Sequence, residues 1–428
     1  MRIELSYGKT GYALGLPDDW DITVVRKKPM PVLPDPQTAC RGAFERPSRS
    51  DPLRDLARGR RSACIAICDI TRPVPNGTIL PPLLRELLAA GLSPDVITVL
   101  VATGLHRPNE GDELVEVVGD RWVLDTAPVV NHVARCDADH VSLGITGRGT
   151  PVSLDRRFIE ADLRIVVGLV EPHFMAGYSG GRKVISPGIA HHETIRSIHS
   201  ARFLEHERAD NCVLDGNPVH EEIVEIARMV GECFAVNVVI DEARRISFVN
   251  FGALEESHAA AVAYVRPYAE VPLGRRYRTV VTTAAGYPLD RNYYQTVKGM
   301  VAAMRIVEPG GDLFVVSECS EGLGSPEFGA SQQRLMELGA EGFMREIRPR
   351  QFAGIDEWET EMQLKAMRAG RVHLFSGCLC DADRALTGLC MVESLEEAVC
   401  RSVAESGDKA VAVIPEGPYV IPLYRPVA

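Results

Sequence analysis

Basic residues are scarce in this chain of 428 residues. Its 47 lysine and arginine side chains face 58 aspartate and glutamate side chains, which gives a net charge of −11. Because nucleic acids and anionic membranes are bound through clustered Lys and Arg, this balance argues against a broad surface for either partner. Apolar runs of ~18 residues, long enough to span a bilayer, are lacking too. The N-terminus MRIELSYGKTGYALGL has no basic stretch before an apolar segment, so we expect no secretory signal and a cytoplasmic location.

The spacings that mark zinc sites and nucleotide loops are also missing. The 11 cysteines are odd in number and their close pairs, Cys64 with Cys68 and Cys378 with Cys380, lack zinc-site spacing, so we interpret them as reduced thiols. No G-x-G-x-x-G follows a predicted strand, which argues against a dissociable NAD. In GYSGGRK an arginine separates the glycines from the lysine, which disfavours a nucleotide triphosphatase.

The chain instead alternates strand-like and helix-like patterns. Short β-branched runs are separated by longer amphipathic segments, which predicts parallel sheets with right-handed crossovers. We therefore expect an α/β fold of two domains, each with a largely parallel sheet flanked by helices, and an active site in the interdomain cleft. The predicted strands lie at 62–70, 95–104, 163–170, 233–240, 279–286, 311–319, 371–377 and 409–417.

A Pro- and Arg-rich segment at 265–278 is unpatterned and predicts a linker. It divides the chain into an N-terminal domain, 1–270, and a C-terminal α/β domain, 271–428. The stretch 29–52 is also irregular, and we expect it to wrap over a surface.

Polar residues follow directly after four of the predicted strands, where open parallel sheets bind ligands. After the first strand, DITRP offers Asp69 and Thr71 for helix capping and Arg72 for a phosphate or carboxylate; the alternative is a capping turn with an incidental arginine. After the second, TGLHRP offers His106 as a general base or metal ligand; the alternative is a loop histidine bonded to backbone.

The loop EPHFMAGYSGGRK after the third strand is the richest. Its glycines, including Gly180 and Gly181, suit a backbone cradle for an anion. Lys183 suits an electrostatic clamp or a covalent anchor, and His173 is a second candidate base. The alternative is a tight turn with surface Arg and Lys. His191, His192 and His199 follow on a predicted helix, HHETIRSIHSARFLEH, as polar surface or with one ligand among them; we favour His199, although spacing does not choose it.

In the second half, YYQTVK opens a helix that Asp290 or Asn292 can cap. Gln295 and Lys298 stand three residues apart near its N-terminus, where the helix dipole favours anions. They suit a substrate carboxylate; the alternative is the exposed polar start of an amphipathic helix.

In order and spacing, these motifs resemble the nickel-dependent lactate racemase family over most of the chain. The resemblance implies a 2-hydroxy-acid racemase or epimerase whose N-terminal domain binds a nickel-pincer nucleotide supplied by cofactor-biosynthesis enzymes. This cofactor is a pyridinium mononucleotide that holds nickel through sulfur, carbon and sulfur. By resemblance Lys183 is joined to it through a thioamide and His199 ligates the nickel. The other implied roles are acid–base catalysis by His106 and His173, cofactor binding by Asp69, Thr71, Arg72, Gly180 and Gly181, and substrate binding by Arg72, Gln295, Lys298, Tyr294 and Trp358.

Inversion at C2 explains the need for such a cofactor. Loss of a proton next to a carboxylate would place negative charge beside negative charge, whereas loss of hydride is easier once the hydroxyl is deprotonated. We expect a tethered pyridinium to take the hydride, while two histidines with pKa values near neutrality alternate as base and acid. The substrate stays open among lactate, larger hydroxy acids and sugar acids. Two other classes also stay open: a nickel-nucleotide carrier or sensor without turnover, and a Schiff-base lyase that uses Lys183.

Overall fold

The computed structural model describes residues 1–426, which form two six-stranded sheets, smaller hairpins and flanking helices. The strands in chain order are β1 Arg2–Leu5, β2 Tyr12–Gly15, β3 Asp21–Val24, β4 Ala63–Cys68, β5 Ile97–Ala102, β6 Val129–Asn131, β7 His140–Ile145, β8 Pro151–Asp155, β9 Leu163–Leu169, β10 Pro172–His173, β11 Gly177–Tyr178, β12 Phe234–Ile240, β13 Ile246–Ala253, β14 Glu270–Leu273, β15 Tyr277–Thr283, β16 Val307–Val316, β17 Gly370–Phe375, β18 Cys390–Met391, β19 Ala410–Ile414 and β20 Ile421–Tyr424. The helices are α1 Pro36–Glu45, α2 Leu53–Ala57, α3 Asn76–Ala89, α4 Asp112–Val118, α5 Arg121–Thr126, α6 Arg156–Ile159, α7 Arg182–Ile185, α8 His192–Ile198, α9 Ala201–Leu204, α10 Pro218–Met229, α11 Leu254–Ala269, α12 Tyr293–Ala303, α13 Pro326–Ile347, α14 Glu357–Ala369, α15 Asp381–Thr387 and α16 Leu395–Ser406.

The first sheet has the order β13-β12-β9-β4-β5-β6 and is parallel except for β13, which runs antiparallel to β12. Its central strands are covered on both faces, which explains their continuous apolar sequence. Ile65 of β4 packs in one apolar cluster with Leu83 of α3, while the next residue, Ala66, belongs to the cluster of Ile195 on the opposite face. The predicted α/β fold with largely parallel sheets is confirmed.

The second sheet, β18-β17-β16-β15-β19-β3, is entirely parallel. Its edge strand β3 comes from the start of the chain, and Leu5 and Leu14 of the preceding hairpin share an apolar cluster with Phe314 and Leu395. The N-terminal 24 residues therefore lie in the layer that 271–428 otherwise form. The division at residue 270 stays a prediction. The structure adds that the first 24 residues pack with the C-terminal half.

Three local predictions were wrong. The expected linker is regular, because α11 continues to Ala269 and β14 follows it and pairs with β20. The stretch expected to be irregular contains α1, which Asp35 caps and which buries Cys40 and Phe44. The helix expected from His191 onward is broken into α8 and α9, with His199 between them. Within residues 1–426, each helix is too short or too polar to traverse a lipid bilayer.

Candidate active site

The candidate site lies at the carboxyl ends of β4, β5 and β9, which are neighbours in the first sheet, and it is completed by α12 and α14 from the second half. The two halves meet closely here. The Nζ atom of Lys298 on α12 lies 5.9 Å from the ring centre of Phe174. Its positive charge disfavours the protonated forms of both His106 and His173, which places all three side chains in one region. The structure thus brings residues from four strand-end loops to one cleft, as the sequence predicted.

His106 is oriented by the loop that follows β4. Its Nδ1 lies 2.7 Å from Oδ2 of Asp69, whose other oxygen accepts hydrogen bonds from the Thr71 hydroxyl at 2.6 Å and amide at 3.3 Å. Desolvation opposes a charged imidazole, but the hydrogen bond and charge of Asp69 outweigh it and raise the His106 pKa. The predicted capping of the next helix is wrong, because α3 begins only at Asn76. Asp69 instead orients His106 through a hydrogen bond.

His173 has the opposite environment. Its Nδ1 accepts hydrogen bonds from the amides of Met175 and Ala176, both at 3.2 Å. Burial, followed by the charges of Lys183 and Arg72, holds its pKa well below the usual range. A pKa near neutrality is therefore not found for His173, because burial, followed by the positive charges around the cleft, disfavours its protonated form.

Arg72 is partnered by Glu171, the first residue of the Gly-rich loop, through an ion pair with a short contact. The charge of Glu171 outweighs desolvation and raises the Arg72 pKa, so the guanidinium stays charged. Arg72, which the DITRP motif predicted to bind an anion, is thus already paired with a carboxylate of the same cleft.

Lys183 lies in the first turn of α7. Burial, with the charges of Arg72 and Arg182, holds its pKa well below the usual range. An amine with a lowered pKa loses its proton at a lower pH than a surface lysine does and can then act as a nucleophile. This property suits a covalent anchor better than a purely electrostatic clamp.

The glycines of this loop are required by close packing within the protein. A Cβ at Gly177 would lie 2.2 Å from the Val213 carbonyl oxygen, and one at Gly180 would lie 2.5 Å from Val170 Cγ2. Gly180 and Gly181 both have positive φ, which turns the chain into α7. Their assignment to cofactor binding stays a prediction.

His199 ends α8 and is buried. Its Nδ1 lies 2.8 Å from the Ile195 carbonyl oxygen, which places the proton on Nδ1 and leaves the Nε2 lone pair free. Burial and the charge of Lys183 lower its pKa to about 4, so the ring is neutral. Metal-ligating histidines have this arrangement, in which a carbonyl fixes the tautomer.

Trp358 of α14 packs on His199, with ring centres 4.8 Å apart. Its indole nitrogen donates to the Tyr294 hydroxyl at 3.1 Å, which joins α12 to α14 at the cleft. The neighbouring Tyr293 is fully buried against Phe328.

Gln295 and Lys298 form one polar pair at the start of α12. The Lys298 ammonium donates to the Gln295 side-chain oxygen in a short contact. Of the two predicted caps, Asn292 is correct, since its Oδ1 accepts from the Gln295 amide at 3.1 Å. Asp290 instead accepts from the Gly8 amide at 2.7 Å.

Two ionisable residues of this region were missed from sequence. Glu359 on α14 is fully buried, neither of its oxygens has a hydrogen-bond partner among residues 1–426, and burial raises its pKa to about 8. Arg182, taken as a surface residue under the tight-turn alternative, is buried and donates to the carbonyls of Ala176 and Tyr178, which fixes the loop of His173. A helical-wheel analysis of α14 would have placed Glu359 near the buried Met362 and Gln363.

His191 and His192 do not join this cleft. They lie with Asp137 and His140, where the ring centres of His191 and His192 are 4.2 Å apart and those of His140 and His191 are 5.0 Å apart.

Fold and site together define a two-domain α/β enzyme whose cleft is lined by histidines and cations, which suits a small anionic substrate. Residues 7–211 match the lactate racemase N-terminal domain, and residues 275–422 match the lactate racemase C-terminal domain. The chain belongs to the lactate racemase family, and it is an isomerase.

Individual relatives agree with this placement. The chain is 35% identical over 386 residues to the lactate racemase of Lactiplantibacillus plantarum, which covers 89% of each chain. It is 35% identical over 329 residues, 76% of each chain, to a lactate racemase of Thermoanaerobacterium thermosaccharolyticum. The solved structure of the lactate racemase apoprotein from the latter organism superposes with a TM-score of 0.91 at 30% identity, covering 99% of this chain and 100% of that one. A Thermotoga maritima protein with a TM-score of 0.66 and 16% identity, covering 87% of this chain and 98% of its own, shares the fold alone.

Proposed function

We propose that this racemase inverts the C2 carbon of a 2-hydroxy acid by reversible hydride transfer, with a nickel-pincer nucleotide bound covalently to Lys183. Lactate is the first candidate, because the relatives named above are lactate racemases. Larger hydroxy acids and sugar acids are the alternatives.

One observation carries the proposal: an amine with a depressed pKa lies close to a neutral histidine that has a free Nε2. Lys183 supplies the amine and His199 the imidazole, and the two are near enough for a proton on Lys183 to lower the His199 pKa. These are the two residue types that a covalently held nickel cofactor needs, one as the anchor and one as the ligand. Arg72 and Lys298 add positive charge for its phosphate or for the substrate carboxylate. When bound, the group supplies a hydride acceptor for C2.

We assign the base to His106. Asp69 keeps the proton on Nδ1, so Nε2 is free to take the proton of the substrate hydroxyl. As the hydroxyl loses this proton, hydride departure from C2 no longer creates a cation at the carbonyl carbon. Asp69 then stabilises the imidazolium that forms.

His173 has a different part in the conformation observed. Because its Nδ1 accepts two backbone amides, the proton of the neutral ring is on Nε2. His173 therefore donates a hydrogen bond to the substrate oxygen instead of taking its proton. For the opposite enantiomer, full alternation of the two histidines would make His173 the base. This requires the 173–176 turn to release Nδ1, so that the ring proton can move there and leave Nε2 free.

The substrate carboxylate is assigned to Lys298, Gln295 and Arg72. In the free chain Lys298 contacts Gln295, and Arg72 contacts Glu171. The carboxylate would replace or share these partners, so that the 2-keto acid stays fixed at one end while its reacting carbon presents either face. A closed cleft keeps the keto acid from escaping.

A Schiff-base lyase remains the second candidate, because a depressed lysine pKa also favours imine formation. A carrier or sensor has no use for His106, His173 and Lys298 in one cleft.

Intact-mass analysis of protein produced with the cofactor-building enzymes separates these functions. We expect a stable adduct on Lys183 that is absent from Lys183→Ala, together with loss of all racemase activity in that variant. Borohydride trapping of substrate on Lys183 would favour the lyase, and an adduct without turnover of any 2-hydroxy acid would favour the carrier. Full activity of Lys183→Ala would refute covalent attachment.

A further inference from the structure

Four of the chain's 11 histidines form a separate cluster on the first half. The rings follow one another from the interior outward, with 5.2 Å between the centres of His132 and His140, 5.0 Å between His140 and His191, and 4.2 Å between His191 and His192. The exposed carboxylate of Asp137 closes the outer end, with Oδ1 2.9 Å from His191 Nε2. The proposed reaction uses none of these groups.

We propose that Asp137, His191 and His192 form a second metal site, which takes a divalent ion of the Zn²⁺ or Ni²⁺ type. Each residue offers one ligand atom, and the three atoms all lie within 4.8 Å of one another. Ligand atoms that surround a zinc ion at ~2.0 Å are roughly 3 to 4 Å apart, so small side-chain rotations close the site. Two imidazoles and one carboxylate suit borderline transition metals and leave further positions to water.

The inner histidines support the site without ligating. His140 Nδ1 lies 2.7 Å from the Cys136 carbonyl oxygen, and its Nε2 lies 3.0 Å from His132 Nε2, so both nitrogens are engaged. Fully buried His132 is in turn 3.2 Å from the Thr103 hydroxyl through Nδ1. His140 packs against the His191 ring on the side away from the interior.

The main chain also fixes the ligands before any ion binds. The His191 amide donates to the Ser153 carbonyl at 2.9 Å, and the His192 amide donates to the Ala134 carbonyl at 2.9 Å. These bonds tie the ligand pair to β8 and to the loop that carries Asp137. The entropy lost on ion binding is therefore confined to side-chain rotation.

The hydrogen bond between two of the ligands also suits metal binding. His191 Nε2 lies 2.9 Å from Asp137 Oδ1, so an ion would replace the proton that these two atoms share. Coordination through His191 Nε2 moves its proton to Nδ1. The bond displaced there, from the Glu193 amide, is 3.4 Å long and weak.

This site is distinct from the proposed nickel ligand His199, although the same stretch of chain connects them. Lys183 stands on α7, the His191–His192 pair follows it, and His199 ends α8. An ion at the outer site would stiffen the connection between the cofactor anchor and the proposed nickel ligand.

The test is calorimetric titration of Zn²⁺ and Ni²⁺ into cofactor-free protein. The protein carries His199→Ala, so that the proposed nickel ligand in the cleft does not bind the added ion. The exposed cysteines Cys378, Cys380 and Cys390 are replaced by serine throughout to remove competing thiols. We expect one equivalent to bind, and Asp137→Asn or His192→Ala to weaken binding about tenfold or more. His206→Ala, an exposed histidine outside the cluster, is the matched control and should bind as the parent does.

A second readout guards against misfolded variants. Saturating Zn²⁺ should raise the Tm of the parent and of His206→Ala, but not that of His192→Ala, whose metal-free Tm should equal the parent's. Absence of binding, or equal affinity in His192→Ala, would overturn the second site. Neither measurement uses substrate or the nickel nucleotide, so the outcome is independent of the proposed racemase mechanism.

Discussion

At the scale of single residues, the two cleft histidines differ in which ring nitrogen is free. His106 gives Nδ1 to a carboxylate, whereas His173 gives Nδ1 to two backbone amides. Burial opposes the charged form of both rings, but the Asp69 carboxylate outweighs it at His106, whereas the positive charges of Lys183 and Arg72 add to it at His173, which is why the two pKa values shift in opposite directions. The sequence predicted both residues, but the tautomers depend on the backbone of the 173–176 turn, which a motif does not encode.

Nitrogen NMR of cofactor-free protein with ¹⁵N-labelled histidine tests this difference. His173 should be the Nε2–H tautomer and stay neutral at pH 6, below the ordinary histidine pKa of ~6.5. His106 should take its proton at a higher pH than an ordinary histidine, so racemisation should fall as the pH drops through that value and the base becomes protonated. The single variants His106→Gln and His173→Gln assign the signals. An Nδ1–H tautomer at His173 would contradict its role as hydrogen-bond donor.

At the scale of elements, short helices and caps bring the reactive side chains into position. Local pattern predicted α12 and its polar start, and the structure adds that Asn292 makes the cap while Asp290 reaches the Gly8 amide. The α8–α9 break at His199 was missed, because HHETIRSIHSARFLEH keeps helical spacing across it. At the break, His199 packs against Trp358 of α14, a tertiary contact that periodicity does not encode.

Asn292→Ala should lower the free energy of unfolding by about 1 kcal/mol, because the Gln295 amide loses its acceptor. Since Gln295 and Lys298 stand in the first turns of α12, KM should rise as well. Urea denaturation and steady-state kinetics measure the two effects. Ser394→Ala removes the equivalent cap of α16 and should lower stability similarly without changing KM. An unchanged KM in Asn292→Ala would show that the cap does not contribute to substrate binding.

At the scale of the molecule, polar contacts hold the two halves together around the cleft. Arg305 pairs with Asp210 at 2.6 Å, and the Ala353 amide donates to the Arg196 carbonyl at 3.0 Å. Such contacts, like the pairing of β3 with β19, join residues far apart in sequence. Strand and helix patterns predicted most elements of the two sheets, but they carry no information on which distant segments meet.

Lys365 makes the densest of these contacts. Its ammonium donates to the carbonyls of Leu204, His206 and Ala209 at 2.7, 3.2 and 2.9 Å, which ties α14 to the segment after His199. Lys365→Met should cost about 2 kcal/mol, because these partly buried acceptors lose their donor. Hydrogen exchange should rise at 204–209, while the exposed control Arg121→Met should leave it unchanged. Unaltered exchange in Lys365→Met would show that other contacts hold the halves together.

The central claim is that hydrogen leaves C2 as hydride and returns to the same substrate carbon. Racemisation of C2-deuterated 2-hydroxy acid by cofactor-loaded protein in ordinary water tests it directly, with product deuterium read by mass spectrometry. The account predicts that the inverted product keeps its deuterium, because the label never meets solvent. Complete replacement by solvent hydrogen during inversion would contradict it and point to proton abstraction at C2.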